Sequence, residues 1–134
     1  MPDIQGAVQG FFVALNTMFE GNSEPMKALW SHREDVVFYA PDGKMHKGWE
    51  AVSKCWDEQA AMKVGGSVEP GVIDYFKGQD LAAAYHLIEG HHVINGEQVP
   101  VHIRATELFR MEEGEWKVVS VQADVLPFLK EQGG

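Results

Sequence analysis

The chain holds a single cysteine, Cys55, among 134 residues. No internal disulfide can form, and the expected compartment is a reducing one, the cytoplasm. Basic residues are also scarce: 11 Lys and Arg stand against 20 Asp and Glu, a net charge of −9. A surface of that sign repels phosphate, which excludes nucleic acid and anionic membrane as expected partners. Long apolar runs are missing too. The most apolar stretch, Leu81 to Ile88, is too short to span a bilayer and contains His86. The opening residues, Met1-Pro2-Asp3-Ile4, lack the basic start of a signal peptide. There is no Gly-x-Ser-x-Gly, no P-loop and no dinucleotide fingerprint. Six histidines are present, but without Cys-x-x-Cys or His-Glu-x-x-His spacing, and the adjacent His91 and His92 would point to opposite faces of a strand. The expectation is therefore no metal and no cofactor. Without repeats or linkers, the chain reads as one domain over residues 1–134.

What is present is a substantial apolar fraction, 45% of residues, arranged in two regimes. The first half is helical in period. Ile4, Val8, Phe11, Phe12, Leu15 and Phe19 form one stripe at three- and four-residue spacing, and Gly21 suits the position after its end. Asn22 or Ser23 can cap a second short helix, with Pro25 in its first turn and Met26, Leu29 and Trp30 as its apolar side. Val36 to Tyr39 is strand-prone, and Pro41-Asp42-Gly43-Lys44 is turn chemistry. Gly48 then opens a third helix, to about Lys63, with the stripe Val52, Cys55, Trp56, Gln59 and Met62. The second half has strand-like runs at 68–76, 81–94, 99–111 and 116–125. Asn95-Gly96 predicts a two-residue hairpin, since both positions of a type I′ turn need positive φ. Glu112-Glu113-Gly114 predicts a three-residue loop. Helices followed by antiparallel strands indicate an α+β fold, a bent sheet with helices on one side.

The hairpins set expected registers. From Asn95-Gly96, His92 should face Val99, Ile88 should face Ile103, His86 should face Ala105 and Ala84 should face Glu107. From the three-residue loop, Glu107 should face Val119, and Arg110 should face Trp116. One face then collects small apolar residues with His86, His92 and Glu107 among them. The other carries Arg104, Thr106, Trp116 and Gln122, too aromatic for open water and too polar for a core. It is the expected surface of a homodimer.

This ordered pattern resembles the nuclear-transport-factor-2-like superfamily, and within it the SnoaL-like proteins. The carriers are Phe12-Val13-Ala14-Leu15-Asn16 leading to Gly21, Met26 to Trp30, Asp35 to Tyr39 and Gly48-Trp49. At the C-terminal end they are Arg104-Ala105-Thr106-Glu107-Leu108-Phe109-Arg110, Trp116-Lys117-Val118-Val119 and Asp124-Val125-Leu126-Pro127. The resemblance implies a cone: a strongly bent sheet wrapped on three helices, with a pocket at the wide end and dimers through the outer face. It implies pocket walls at Phe12, Trp30, Phe38, Trp56, Ile88, Phe109 and Val121 for a small hydrophobic molecule. Polyketide cyclases, dehydratases and ketosteroid isomerase share the fold. Against the isomerase, Ala14 stands where its oxyanion-hole tyrosine is expected and Ala40 where its general base is expected. Only Glu107 corresponds to a catalytic carboxyl. Ser120 and Gln122 replace the histidines that many relatives carry.

Glu107 and His86 are the candidate catalytic pair. A carboxylate on the helix-covered face is costly unless paired or protonated, and a Glu–His couple can move a proton near neutral pH. The same pair also suits a purely structural hydrogen bond. Cys55, in an apolar stripe, suits packing. Two readings remain open: cofactor-free acid–base chemistry of the isomerase, cyclase or dehydratase kind, and a non-catalytic homodimeric ligand-binding module.

Overall fold

Asp3 starts the first helix by accepting a hydrogen bond from the Gly6 amide at 2.6 Å, satisfying one of the donors that a helix start leaves free. The computed structural model describes residues 3–126, so Pro127 of the C-terminal signature lies outside the described residues. Helix α1 spans Ile4–Phe19, and its whole predicted stripe is buried. Gly21 follows with φ of 113°, its amide bonded to the Met18 carbonyl. Helix α2, Glu24–Leu29, has Pro25 in its first turn; the Asn22 side chain accepts from the Glu24 amide at 3.1 Å. Helix α3, Trp49–Met62, follows Gly48 and ends on Lys63 in a left-handed conformation. Met62, placed on the predicted stripe, is 69% exposed; Ala60 is buried in that turn.

The strands are β1 (Val37–Tyr39), β2 (Met45–Lys47), β3 (Ser67–Pro70), β4 (Asp74–Lys77), β5 (Leu81–Ile94), β6 (Glu97–Glu112) and β7 (Glu115–Val125). They form one sheet in the order β2-β1-β7-β6-β5-β3, with β4 also on β5. All pairings are antiparallel except β1 with β7. The fold is thus α+β, a bent and mostly antiparallel sheet with three helices.

The β5–β6 register is the predicted one along its whole length, with Asn95 and Gly96 at φ of 53° and 80°. Two expectations need correction. The run 68–76 is two strands: the β5 register holds as far as Gly71, whose amide donates to the Leu87 carbonyl at 3.1 Å, and resumes at Asp74 one residue out of step. The loop after β6 is the two-residue Glu113-Gly114, with Glu112 facing Glu115. A β-bulge then shifts the ladder between Leu108 and Phe109. Loop and bulge each move the register by one residue, so Glu107 faces Val121 rather than Val119. The two shifts restore parity beyond the bulge and invert it before the bulge. Trp116 therefore faces Met111, not Arg110, and is 6% exposed in the core beside Val118. It does not belong to the outer face. Arg104, Thr106 and Gln122 do, with Arg104 opposite Asp124 and Thr106 opposite Gln122.

Two devices hold the helices to the sheet around the site. The Asn16 side-chain amide donates to the Val68 carbonyl at 3.0 Å and accepts from the Val68 amide at 2.8 Å, acting as a strand partner for the sheet edge. At the other end, Arg110 binds Asp35 at 2.7 and 3.1 Å and Glu112 at 2.8 Å, tying the segment before β1 to the end of β6. Trp30, fully buried, bridges to Val118, and the Ser31 amide bonds the Val118 carbonyl at 2.9 Å.

Candidate functional site

The bent sheet and the α1 and α3 stripes do not meet everywhere. They leave a cavity of about 470 Å³. Phe11, Leu15 and Phe19, one residue per turn of α1, form one wall. Phe38, Ile88, Val101, Ile103, Val121 and Ala123 form the sheet wall, and Trp56 and Gln59 of α3 close a third side. Phe38 and Trp56 stack at 4.6 Å with their planes 19° apart, giving a flat aromatic surface. Of the expected walls, Phe38, Trp56, Ile88 and Val121 line this cavity. Phe12, Trp30 and Phe109 do not; each is packed into the core. Phe12 sits on the neighbouring flank of α1, against His86 at 5.2 Å between ring centroids. Trp30 lies behind Trp56 at 5.9 Å, and Phe109 precedes the bulge, further from the mouth than Val121 along the ladder.

His86 and Glu107 meet. His86 Nε2 and Glu107 Oε1 are 2.7 Å apart, and both side chains are fully enclosed. The registers explain the meeting: His86 lies two residues beyond Ala84, which faces Glu107, on the same sheet face. Neither side chain lines the cavity. Glu107 is the rung beside Val121, which does line it, so the pair lies directly behind the cavity wall. His86 Nδ1 stands 3.0 Å from the Leu87 carbonyl. A carbonyl only accepts, so Nδ1 carries a hydrogen, and the titrating proton belongs between Nε2 and Oε1. Glu107 Oε2 is enclosed without a hydrogen-bond partner among the described residues.

The energetics of this proton follow from burial and pairing. Burial pushes the Glu107 carboxyl up, and the hydrogen bond and charge of His86 only partly offset this. Burial pulls His86 down, but the hydrogen bond and charge of Glu107, together with the Leu87 carbonyl, outweigh it and hold His86 above its usual range. Both shifts are upward, so the folded pair keeps its proton at pH values where the unfolded chain has released it. The stability this gives is present below the ordinary histidine pKa of about 6.5 and is lost as pH rises through the folded value. Asp35, Asp57 and Glu112 are shifted down, so they act in the opposite sense and in the acid range, below about pH 4.5. Thermal unfolding should therefore show a melting temperature that falls as pH rises from about 6.5. Glu107→Gln should flatten that slope, and an unchanged slope would contradict the assignment of the proton.

Three polar lining residues lay outside the predicted pocket walls: Asp42, Gln59 and His92. The sheet parity that places Ile88 inward also places His92 inward, so this signal was available. What it lacked was the third dimension. Gly66, at φ of 75°, would put a Cβ 2.0 Å from the His91 carbonyl oxygen, a contact only glycine permits. That close approach brings the Gly65 carbonyl to 3.2 Å from His92 Nδ1 and turns the residues after α3 into a rim. Asp42 reaches the cavity from the β1–β2 turn, where its side chain also accepts from the Lys44 amide at 2.9 Å.

Comparison with known proteins places this geometry. The fold is that of the NTF2-like proteins. A proposed dehydratase of the NTF2-like family from Streptomyces avermitilis superposes with a TM-score of 0.80 at 19% identity, covering 92% of this chain and 93% of the other. A proposed calcium/calmodulin-dependent protein kinase type II association domain from Thiobacillus denitrificans gives 0.77 at 20% identity, over 94% and 97%. An NTF2-like protein of unknown function from Pseudomonas putida gives 0.76 at 20% identity, over 90% and 82%. Residues 8–126 match the SnoaL-like domain, and the chain belongs to that family. No curated protein matches the sequence. Among the described residues no helix is long and apolar enough to cross a membrane.

Proposed function

We propose that this protein binds a small, mainly apolar molecule in the cone cavity. The observation that carries this reading is the wall itself: about 470 Å³ enclosed chiefly by aliphatic and aromatic side chains, with polar groups confined to His92, Gln59 and Asp42. Small-ligand sites have this size and this mix. The neutral dye N-phenyl-1-naphthylamine tests it. Saturable, blue-shifted fluorescence enhancement is expected on titration, and a linear, unsaturable response would refute the reading.

Acid–base chemistry has one specific observation in its favour: the proton shared by His86 and Glu107 one rung from Val121. The proposed dehydratase with this fold is consistent with such chemistry. For the pair to act, a substrate must come within hydrogen-bond reach of it. With both side chains enclosed and neither lining the cavity, that requires the packing around them to open. Binding without turnover requires no such movement and is the reading preferred here. A second copy of this chain is the proposed partner of the outer sheet face, where Tyr85 and Leu108 are 45% and 40% exposed beside Arg104 and Gln122.

A further inference from the structure

We infer that the cavity selects apolar molecules bearing a hydroxyl group over those bearing a carboxylate, and that His92 sets this preference. The inference rests on the ligand-binding reading above and names the chemical class of the ligand.

The polar groups of the lining are mostly acceptors. His92 Nδ1 lies 3.2 Å from the Gly65 carbonyl oxygen, which can only accept, so Nδ1 carries the hydrogen. In the neutral ring this leaves Nε2 as a bare acceptor. Nε2 has no partner among the described residues and is not among the enclosed polar atoms. The ring is held in place by the edge-to-face contact with Phe19 at 4.6 Å, so the acceptor is pre-positioned rather than free to turn. Asp42, on the rim, is an acceptor as a carboxylate. The Gln59 amide nitrogen is 3.4 Å from Cys55 Sγ, which leaves its carbonyl oxygen and one hydrogen uncommitted. Trp56 lines the cavity, but its indole N–H is enclosed and is no donor to a ligand.

A ligand that complements this wall has an apolar body and donates a hydrogen. A carboxylate would set its charge against Asp42 and against a chain of net charge −9, and would find acceptors where it needs donors. An ammonium would donate, but would lose its hydration among aromatic walls. A hydroxyl donates without that cost.

Three probes of one shape separate the possibilities: naphthalene, 2-naphthol and 2-naphthoate, each titrated at about pH 8. The expected order in the wild type is naphthol tightest, by roughly three- to tenfold over naphthalene, with naphthoate weakest. In His92→Phe, the ratio of naphthol to naphthalene affinity should fall to about one, and saturable naphthalene binding reports that the cavity is intact. Naphthoate binding as tightly as naphthol in the wild type would overturn the inference, and this comparison stands even if the variant does not fold. A naphthol advantage that survives in folded His92→Phe would overturn it too. In both cases the apolar-cavity reading survives. If none of the three binds, that reading falls and this one falls with it.

Discussion

Glu107→Ala should lower the free energy of unfolding by about 3–5 kcal/mol, while Glu107→Gln should cost less than about 1.5 kcal/mol. Alanine removes a fully enclosed side chain and leaves a void next to Val121 and Ala84. It also strands His86 Nε2, which has no other partner among the described residues, in a fully enclosed site. Both terms act in the same direction. Glutamine keeps the volume and can donate an amide hydrogen to Nε2, with its oxygen in the place of Oε2, which already lacks a partner. Urea unfolding of the two variants beside the wild type measures the difference. Equal costs for the two substitutions would show that the hydrogen bond at 2.7 Å is not what holds this part of the core.

Ala123→Met should abolish dye binding at the cavity, lowering affinity by at least roughly tenfold, while changing stability by less than about 1.5 kcal/mol. Ala123 is 4% exposed and lines the sheet wall, so a longer side chain there grows into open space rather than into packed atoms. The added methylene and thioether groups take volume that a ligand would occupy. Thr106→Met, on the outer face of the sheet, is the control and should leave binding unchanged. Loss of binding in the control but not in Ala123→Met would place the dye on the outer surface.

Much of this architecture was legible in the chain, for physical reasons that differ by region. The α1 stripe from Ile4 to Phe19 was readable because burial follows helical period, and every member is buried. The β5–β6 ladder was readable because Asn95-Gly96 admits one tight turn, after which register is arithmetic. The meeting of His86 and Glu107 followed from that ladder. Trp116 was misplaced because a bulge has no signature of its own in a run such as Trp116 to Val121, and one unpaired residue reverses the side chains before it. Phe12 and Phe109 were misjudged for another reason. Their faces were correct, but depth along a cone is a tertiary quantity that period alone does not carry. His92 shows the reverse: parity puts it on the inner face, but its place in the cavity lining shows only when Gly65 and Gly66 are seen folded against it.

The claim on which the account depends is that the cone cavity, and not the outer sheet face, is where a small apolar molecule sits. A crystal structure of the protein with N-phenyl-1-naphthylamine tests it most directly. The account predicts density for the dye between the Phe38–Trp56 stack, Ile88 and Ala123, with His86 and Glu107 still paired behind it. Density against Tyr85, Leu87 and Arg104 on the outer face, with the cavity empty, would contradict it.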